Sequence, residues 1–216
     1  PGVPLEEIFG VNSHIRSVAD RVAQLGYVAI APDYHYRNAR GQQLGYTAAD
    51  VQKGMAVIGH LVAAELVRDL EATVAYLKTR GDVDTDRLGA IGFCIGGHAA
   101  YLAAATLPLR ATASFYGGGI ASMGLGEAAP TVARTPQIGG TIVCFFGGQD
   151  HAIPLAQVAQ IKAALAEAGT RHEVIVYDHA NHGFFCDQRG SYDATAAAAA
   201  WQRVTTLFAT ELDRAT

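Results

Sequence analysis

The segment Leu88-Gly89-Ala90-Ile91-Gly92-Phe93-Cys94-Ile95-Gly96-Gly97-His98 decides the reading of this sequence. Its first six residues are an apolar run that predicts a buried strand. The run leads into Gly-x-Cys-x-Gly-Gly, and a helical pattern follows from Gly97 to Thr106. A cysteine on a tight strand-to-helix turn points out of the sheet into solvent, as in a nucleophile elbow. Gly92 and Gly96 are expected beside the turn because no Cβ fits there. The N-terminus of the following helix favours a thiolate and offers backbone N–H groups to an oxyanion. A lone cysteine is more often a small core residue, so it is the glycine pattern that makes Cys94 a candidate nucleophile.

Outward from this turn, Tyr27–Ala31, Thr112–Tyr116, Thr141–Phe146 and His172–Tyr177 read as further short buried strands. Helical patterns fill the intervals at Ser13–Leu25, Ile58–Arg80, Leu155–Ala168 and Tyr192–Leu212. Within Ile58–Arg80, Leu66, Leu70, Val74 and Leu77 make the apolar stripe. Strands alternating with helices predict an α/β fold, a mostly parallel sheet with helices on both faces. Asp33–Gly54 and Gly117–Gly140 read as long loops, and such loops often border the site. Pro1–Glu7 has room only for the end of a first strand, so N-terminal edge strands are expected to be missing.

Composition sets the class. At 216 residues the chain is expected to be one domain, 1–216. Half of it is hydrophobic and 17% is charged, which excludes disorder. The net charge is -4 and the basic residues are scattered, so no nucleic-acid partner is expected. No apolar run approaches the ~18 residues that span a bilayer, and no membrane partner is expected. Three cysteines make no disulfide framework and fit a reducing, cytoplasmic setting. The expected partner is a small molecule, and the chain is expected to act as a monomer or small homo-oligomer.

A thiol nucleophile needs a base within hydrogen-bond reach, and the base needs an orienting group. Asp150 follows the strand Thr141–Phe146 in Phe146-Gly147-Gly148-Gln149-Asp150, at the strand end where α/β sheets build their sites. The plainer reading is an aspartate capping the next helix, although Pro154 is the better helix start. His182, in Asn181-His182-Gly183-Phe184, follows the strand His172–Tyr177. The order nucleophile, acid, histidine is that of the α/β-hydrolase fold. His179 competes with His182 as base, and His98 reads as packing or as a support behind the site. A metal site on His179 and His182 lacks a further ligand cluster, so no metal or cofactor is expected. Cys144 lies mid-strand and reads as inert core, whereas Cys186 follows the candidate histidine closely.

Five pieces of the sequence resemble the dienelactone hydrolase (carboxymethylenebutenolidase) family: Glu6-Glu7-Ile8-Phe9-Gly10-Val11-Asn12, Gly26-Tyr27 through Ala31-Pro32-Asp33, Gly92–Gly97, Gly147-Gly148-Gln149-Asp150-His151 and His182-Gly183-Phe184. The resemblance implies Cys94 as nucleophile, His182 as base and Asp150 as its orienter. It implies that Glu7 takes up the thiol proton when substrate binds, and that the N–H groups of Ile8 and Ile95 hold the oxyanion. The sequence departs from the pattern near Gln52 and Lys53, where the family carries a further arginine, and at two positions after the histidine. The family's founding members carry Ser directly after the histidine and Arg three residues later, where this chain has Gly183 and Cys186. Lys53 and Arg189 are the candidate substitutes. Lys53, Tyr34, Tyr116 and Phe184 are the candidate substrate contacts.

The expected activity is hydrolysis of an ester or lactone through an acyl-enzyme. Two other classes stay open. One is a non-catalytic binding protein on the same fold, and the other is a thiol redox protein with Cys186 as resolving partner.

Overall fold

In a computed structural model of the chain, residues 2–5, 7 and 9–213 are described. The apolar runs pair as five parallel strands in chain order: β1 (Gly2–Leu5), β2 (Leu88–Phe93), β3 (Leu109–Phe115), β4 (Thr141–Gly147) and β5 (His172–Tyr177). Ile91, Ala113, Val143 and Glu173 lie level across β2 to β5. β2 is buried along its whole length, and β3 and β4 nearly so. Parallel strands covered on both faces have this continuous apolar character.

Helices cover both faces. Leu88 and Ala90 of β2 pack with Leu66, Leu70 and Leu77 of α4 (Ala63–Lys78) and with α5 (Ile95–Thr106). Ile91 and Phe93, on the opposite face, pack with Ile15, Val18 and Val22 of α1 (Ser13–Gln24) and with Val204 and Phe208 of α7 (Ala194–Leu212). α6 (Leu155–Glu167) contributes Val158, Ile161 and Leu165 beside β5. No helix among the described residues is long and apolar enough to cross a membrane.

The structure corrects three sequence expectations. Ile58–Arg80 is not one helix, because α3 (Ala48–Ile58) ends at Gly59 and α4 begins at Ala63. Asp33–Gly54 is not all loop, since it holds α2 (Tyr36–Ala39) and most of α3. Thr47 starts α3 with a capping box: its hydroxyl accepts from the Asp50 N–H, and the Asp50 carboxylate accepts from the Thr47 N–H. Tyr27–Ala31 runs extended but not as a regular strand. Tyr27, Ala29 and Ala31 face one core cluster and Val28 and Ile30 the other, yet only Ala29 is in a ladder bridge. Side-chain alternation sets the pleat, whereas a ladder needs a partner in register.

The second long loop, 117–140, holds a 3-10 turn (Thr131–Gln137) and is tied to α5 through His98. One ring nitrogen of His98 is 2.9 Å from the Gly118 carbonyl, and the other is 2.6 Å from the Thr131 hydroxyl. Burial lowers the pKa of this ring to about 4. The histidine packs, as expected of it.

Candidate active site

Cys94 sits between β2 and α5 with φ 56° and ψ −120°, a conformation that is strained for any residue with a side chain. The turn holds it there. The Cys94 N–H donates to the Phe115 carbonyl at 3.0 Å, and the Cys94 carbonyl accepts from Gly97 and His98. A Cβ on Gly92 would stand 1.9 Å from the Gly96 oxygen, and one on Gly97 would stand 2.4 Å from the Phe115 oxygen. Gly97 is thus a packing requirement that the sequence reading did not single out.

Asp150 follows β4 on a turn bonded to the turn after β5. Gly148 N–H donates to Tyr177 and Gln149 N–H to Ala180, at 2.8 and 2.9 Å. This contact brings Asp150 to His182, and both carboxylate oxygens are used. Oδ1 accepts from the Ala152 N–H at 2.8 Å, and Oδ2 is 2.7 Å from His182 Nδ1. The carboxylate does not cap α6, whose cap is Pro154. His182 Nε2 lies 3.2 Å from Cys94 Sγ. Burial pulls the imidazolium pKa down. The negative sulfur and the bond to Asp150 overcome this and raise it to about 10. With the sulfur charged, His182 is thus held as an imidazolium between Cys94 and Asp150. His179, its competitor, is exposed.

Glu7 is buried at 1% exposure, and neither carboxylate oxygen has a hydrogen bond. Its backbone carbonyl is within hydrogen-bond distance of His35 Nε2, at 3.1 Å. Its Oε1 is 3.6 Å from Arg189 Nη1. Arg189 reaches it across Gly183: with φ +78°, a Cβ there would lie 2.3 Å from Arg189 Nη1. The guanidinium also lies 5.6 Å from the Phe9 ring and 5.9 Å from Tyr46. Asn12 binds this corner together. Its Oδ1 caps α1 on the Ile15 N–H, and its Nδ2 donates to Leu44 O and the Tyr46 hydroxyl. Burial raises the Cys186 thiol to about 11, although a hydrogen bond with Tyr46 pulls the other way.

Tyr116 stands beside the histidine, its ring 5.1 Å from that of His182. It is wholly buried at φ 37°, and its hydroxyl has no hydrogen-bond partner. Burial first, then the charge of Glu7, raise its pKa well above the usual tyrosine value. Ile95 is the first residue of α5, where an N–H has no acceptor within the helix. Ile8 lies outside the described residues.

The structure thus brings Cys94, His182, Asp150 and Tyr116 together, with Glu7 and Arg189 close by. It does not do so for three of the candidate substrate contacts. Tyr34 is buried in the cluster under α4, Phe184 is sealed among Phe115, Tyr116 and Tyr177, and Lys53 is on the exposed side of α3. Size and apolarity seat Tyr34 and Phe184 in the core. His35 and Asn12 were missed as supports of the Glu7 corner. Asn12 was legible as a helix cap, whereas the His35 contact to a backbone carbonyl leaves no sequence signal.

Comparison with known proteins gives the family. The profile of the Dienelactone hydrolase family matches residues 3–212. A Synechocystis sp. relative, "Putative carboxymethylenebutenolidase", is 49% identical over 97% of this chain and 85% of its own. The crystal structure of a "Putative Dienelactone Hydrolase" from Klebsiella pneumoniae superposes with TM-score 0.86 at 30% identity, covering 96% of this chain and 85% of that one. A dienelactone hydrolase-like promiscuous phosphotriesterase from metagenomic libraries superposes with TM-score 0.82 at 26% identity, covering 99% and 87%. The chain is an α/β-hydrolase-fold enzyme and belongs to the dienelactone hydrolase family.

Proposed function

We propose that the protein hydrolyses small carboxylic esters or lactones through a Cys94-His182-Asp150 triad. The continuous chain of contacts from Cys94 Sγ to His182 to Asp150, at 3.2 and 2.7 Å, carries this reading. A non-catalytic protein has no use for a strained cysteine aimed at a histidine that a buried carboxylate orients. Cys186 is buried and engaged with Tyr46, which disfavours the redox reading.

The Cys94 thiolate adds to the acyl carbon. The Ile95 N–H, with that of Ile8, donates to the oxygen that gains the charge. As the tetrahedral adduct collapses, the His182 imidazolium gives its proton to the departing alkoxide or enolate, and a thioester remains. Neutral His182 then takes a proton from water, hydroxide adds to the thioester carbon, and the carboxylic acid leaves as Cys94 is restored. Asp150 holds the ring orientation throughout. The Glu7 carboxylate, buried without a hydrogen bond and 3.6 Å from Arg189, supports a role in forming the thiolate: it takes the thiol proton as substrate enters, and returns it to the sulfur as the acid leaves and His182 gives its own proton back to solvent.

Cys94→Ala is expected to lower kcat/KM for p-nitrophenyl acetate by roughly 10³-fold or more with the fold intact by circular dichroism. Turnover as fast as that of the wild type would overturn the triad.

A further inference from the structure

We propose that His14, Cys186 and Asp187 form a binding site for a zinc-class divalent cation, separate from the triad and independent of its chemistry. A ring nitrogen of His14, the Cys186 sulfur and an Asp187 carboxylate oxygen all lie within 4.8 Å of one another. His14 is only 3% exposed, and its Nε2 is buried with no hydrogen-bond partner. An unpaired buried ring nitrogen is costly, and a cation would satisfy it. Cys186 is fully buried, whereas Asp187 is exposed at the edge of a groove of about 480 Å³. His14 and Asp187 line that groove together with Arg21 and Trp201. The cation would therefore sit in the groove wall with its fourth position open to solvent.

The donor set selects the ion. One imidazole, one thiolate and one carboxylate suit Zn²⁺ and its soft neighbours and not Mg²⁺ or Ca²⁺. Bond lengths of about 2.0–2.3 Å would draw the donors to roughly 3.5 Å apart. The closure falls to the exposed Asp187 side chain, which is free to turn. Binding replaces the Cys186 S–H bond with an S–metal bond and releases that proton to solvent. Two negative ligands then face the dication. Glu7 adds negative charge toward His14, while Arg21 and Arg189 oppose it. The Arg21 guanidinium is drawn aside, 4.0 Å from the Trp201 ring and 5.0 Å from that of Phe185.

The test uses Cys94→Ser protein, which removes the thiol at the elbow, titrated with Cd²⁺ alone. A saturable thiolate-to-cadmium band in the ultraviolet is expected at one ion per chain, displaced by Zn²⁺. Adding Cys186→Ser should abolish the band. Adding His14→Gln or Asp187→Asn should weaken binding at least tenfold, a change of the size that partners in metal sites carry. Asp187 is exposed, so its variant carries the test even where a substitution of a buried ligand impairs folding. The assignment fails if millimolar Cd²⁺ gives no band, if the band survives Cys186→Ser, or if Asp187→Asn leaves the affinity unchanged.

Discussion

Two acidic turns meet at this site, one after β1 and one after β4, and they treat their carboxylates in opposite ways. Asp150 has both oxygens in hydrogen bonds, one to a backbone N–H and one to His182. The Glu7 carboxylate is also buried but has no hydrogen bond, and an arginine stands 3.6 Å away. Hydrogen bonds to both oxygens fix a carboxylate's position, so Asp150 is held still. The Glu7 carboxylate lacks such bonds and has more freedom to move. The difference fits the roles proposed above, orientation for one turn and proton exchange for the other.

The hardest blow to this contrast is Asp150→Asn. It keeps the shape but removes the charge facing His182, and kcat/KM is expected to fall roughly 10³–10⁴-fold. Its pH profile adds a second readout. With His182 raised to about 10, wild-type activity should persist on the alkaline side until the imidazolium titrates near that pH. Losing Asp150 removes a raising influence, so the alkaline fall should move to lower pH. Activity measured from pH 6 to 11 checks both statements.

Glu7→Gln sharpens the comparison from the other side. It removes the proposed proton acceptor and keeps the shape of the side chain, and kcat is expected to drop about 10²-fold. Single-turnover kinetics should place the loss in acylation, with thioester hydrolysis little changed. An equal loss in both steps would return Glu7 to a purely structural role.

The smallest expected effect comes from Gly183→Ala. The added methyl meets the Arg189 guanidinium on a left-handed backbone, so stability should fall by about 1–2 kcal/mol, read from urea unfolding. Arg189 would be pushed from Glu7 while Asp150 and His182 kept their contact. The activity loss should then be milder than that of Glu7→Gln.

The meeting of Cys94, Asp150 and His182 was legible because each follows an apolar strand. β2 and β5 have the limits expected from sequence, and β4 ends one residue later. The elbow was legible for the same reason, through its glycines. The start of α3 was also written in the sequence, as Thr47-x-x-Asp50, but the polar composition of that stretch obscured it. Tyr27–Ala31 shows the opposite case, a run with strand character whose pairing depends on what lies beside it. The Glu7–Arg189 pair spans most of the chain, and no local pattern encodes a contact between such distant residues. The burial of Tyr34 and Phe184 was hidden too, because an aromatic beside a site and an aromatic in the core look alike in sequence.

Gly183 has a consequence for how this loop can change over time. By having no side chain, it leaves a slot that a cation from further along the loop, Arg189, fills. A side chain at position 183 and the Arg189 guanidinium exclude each other, so a change at Gly183 displaces the cation that faces Glu7 and has to be matched by a change at Arg189.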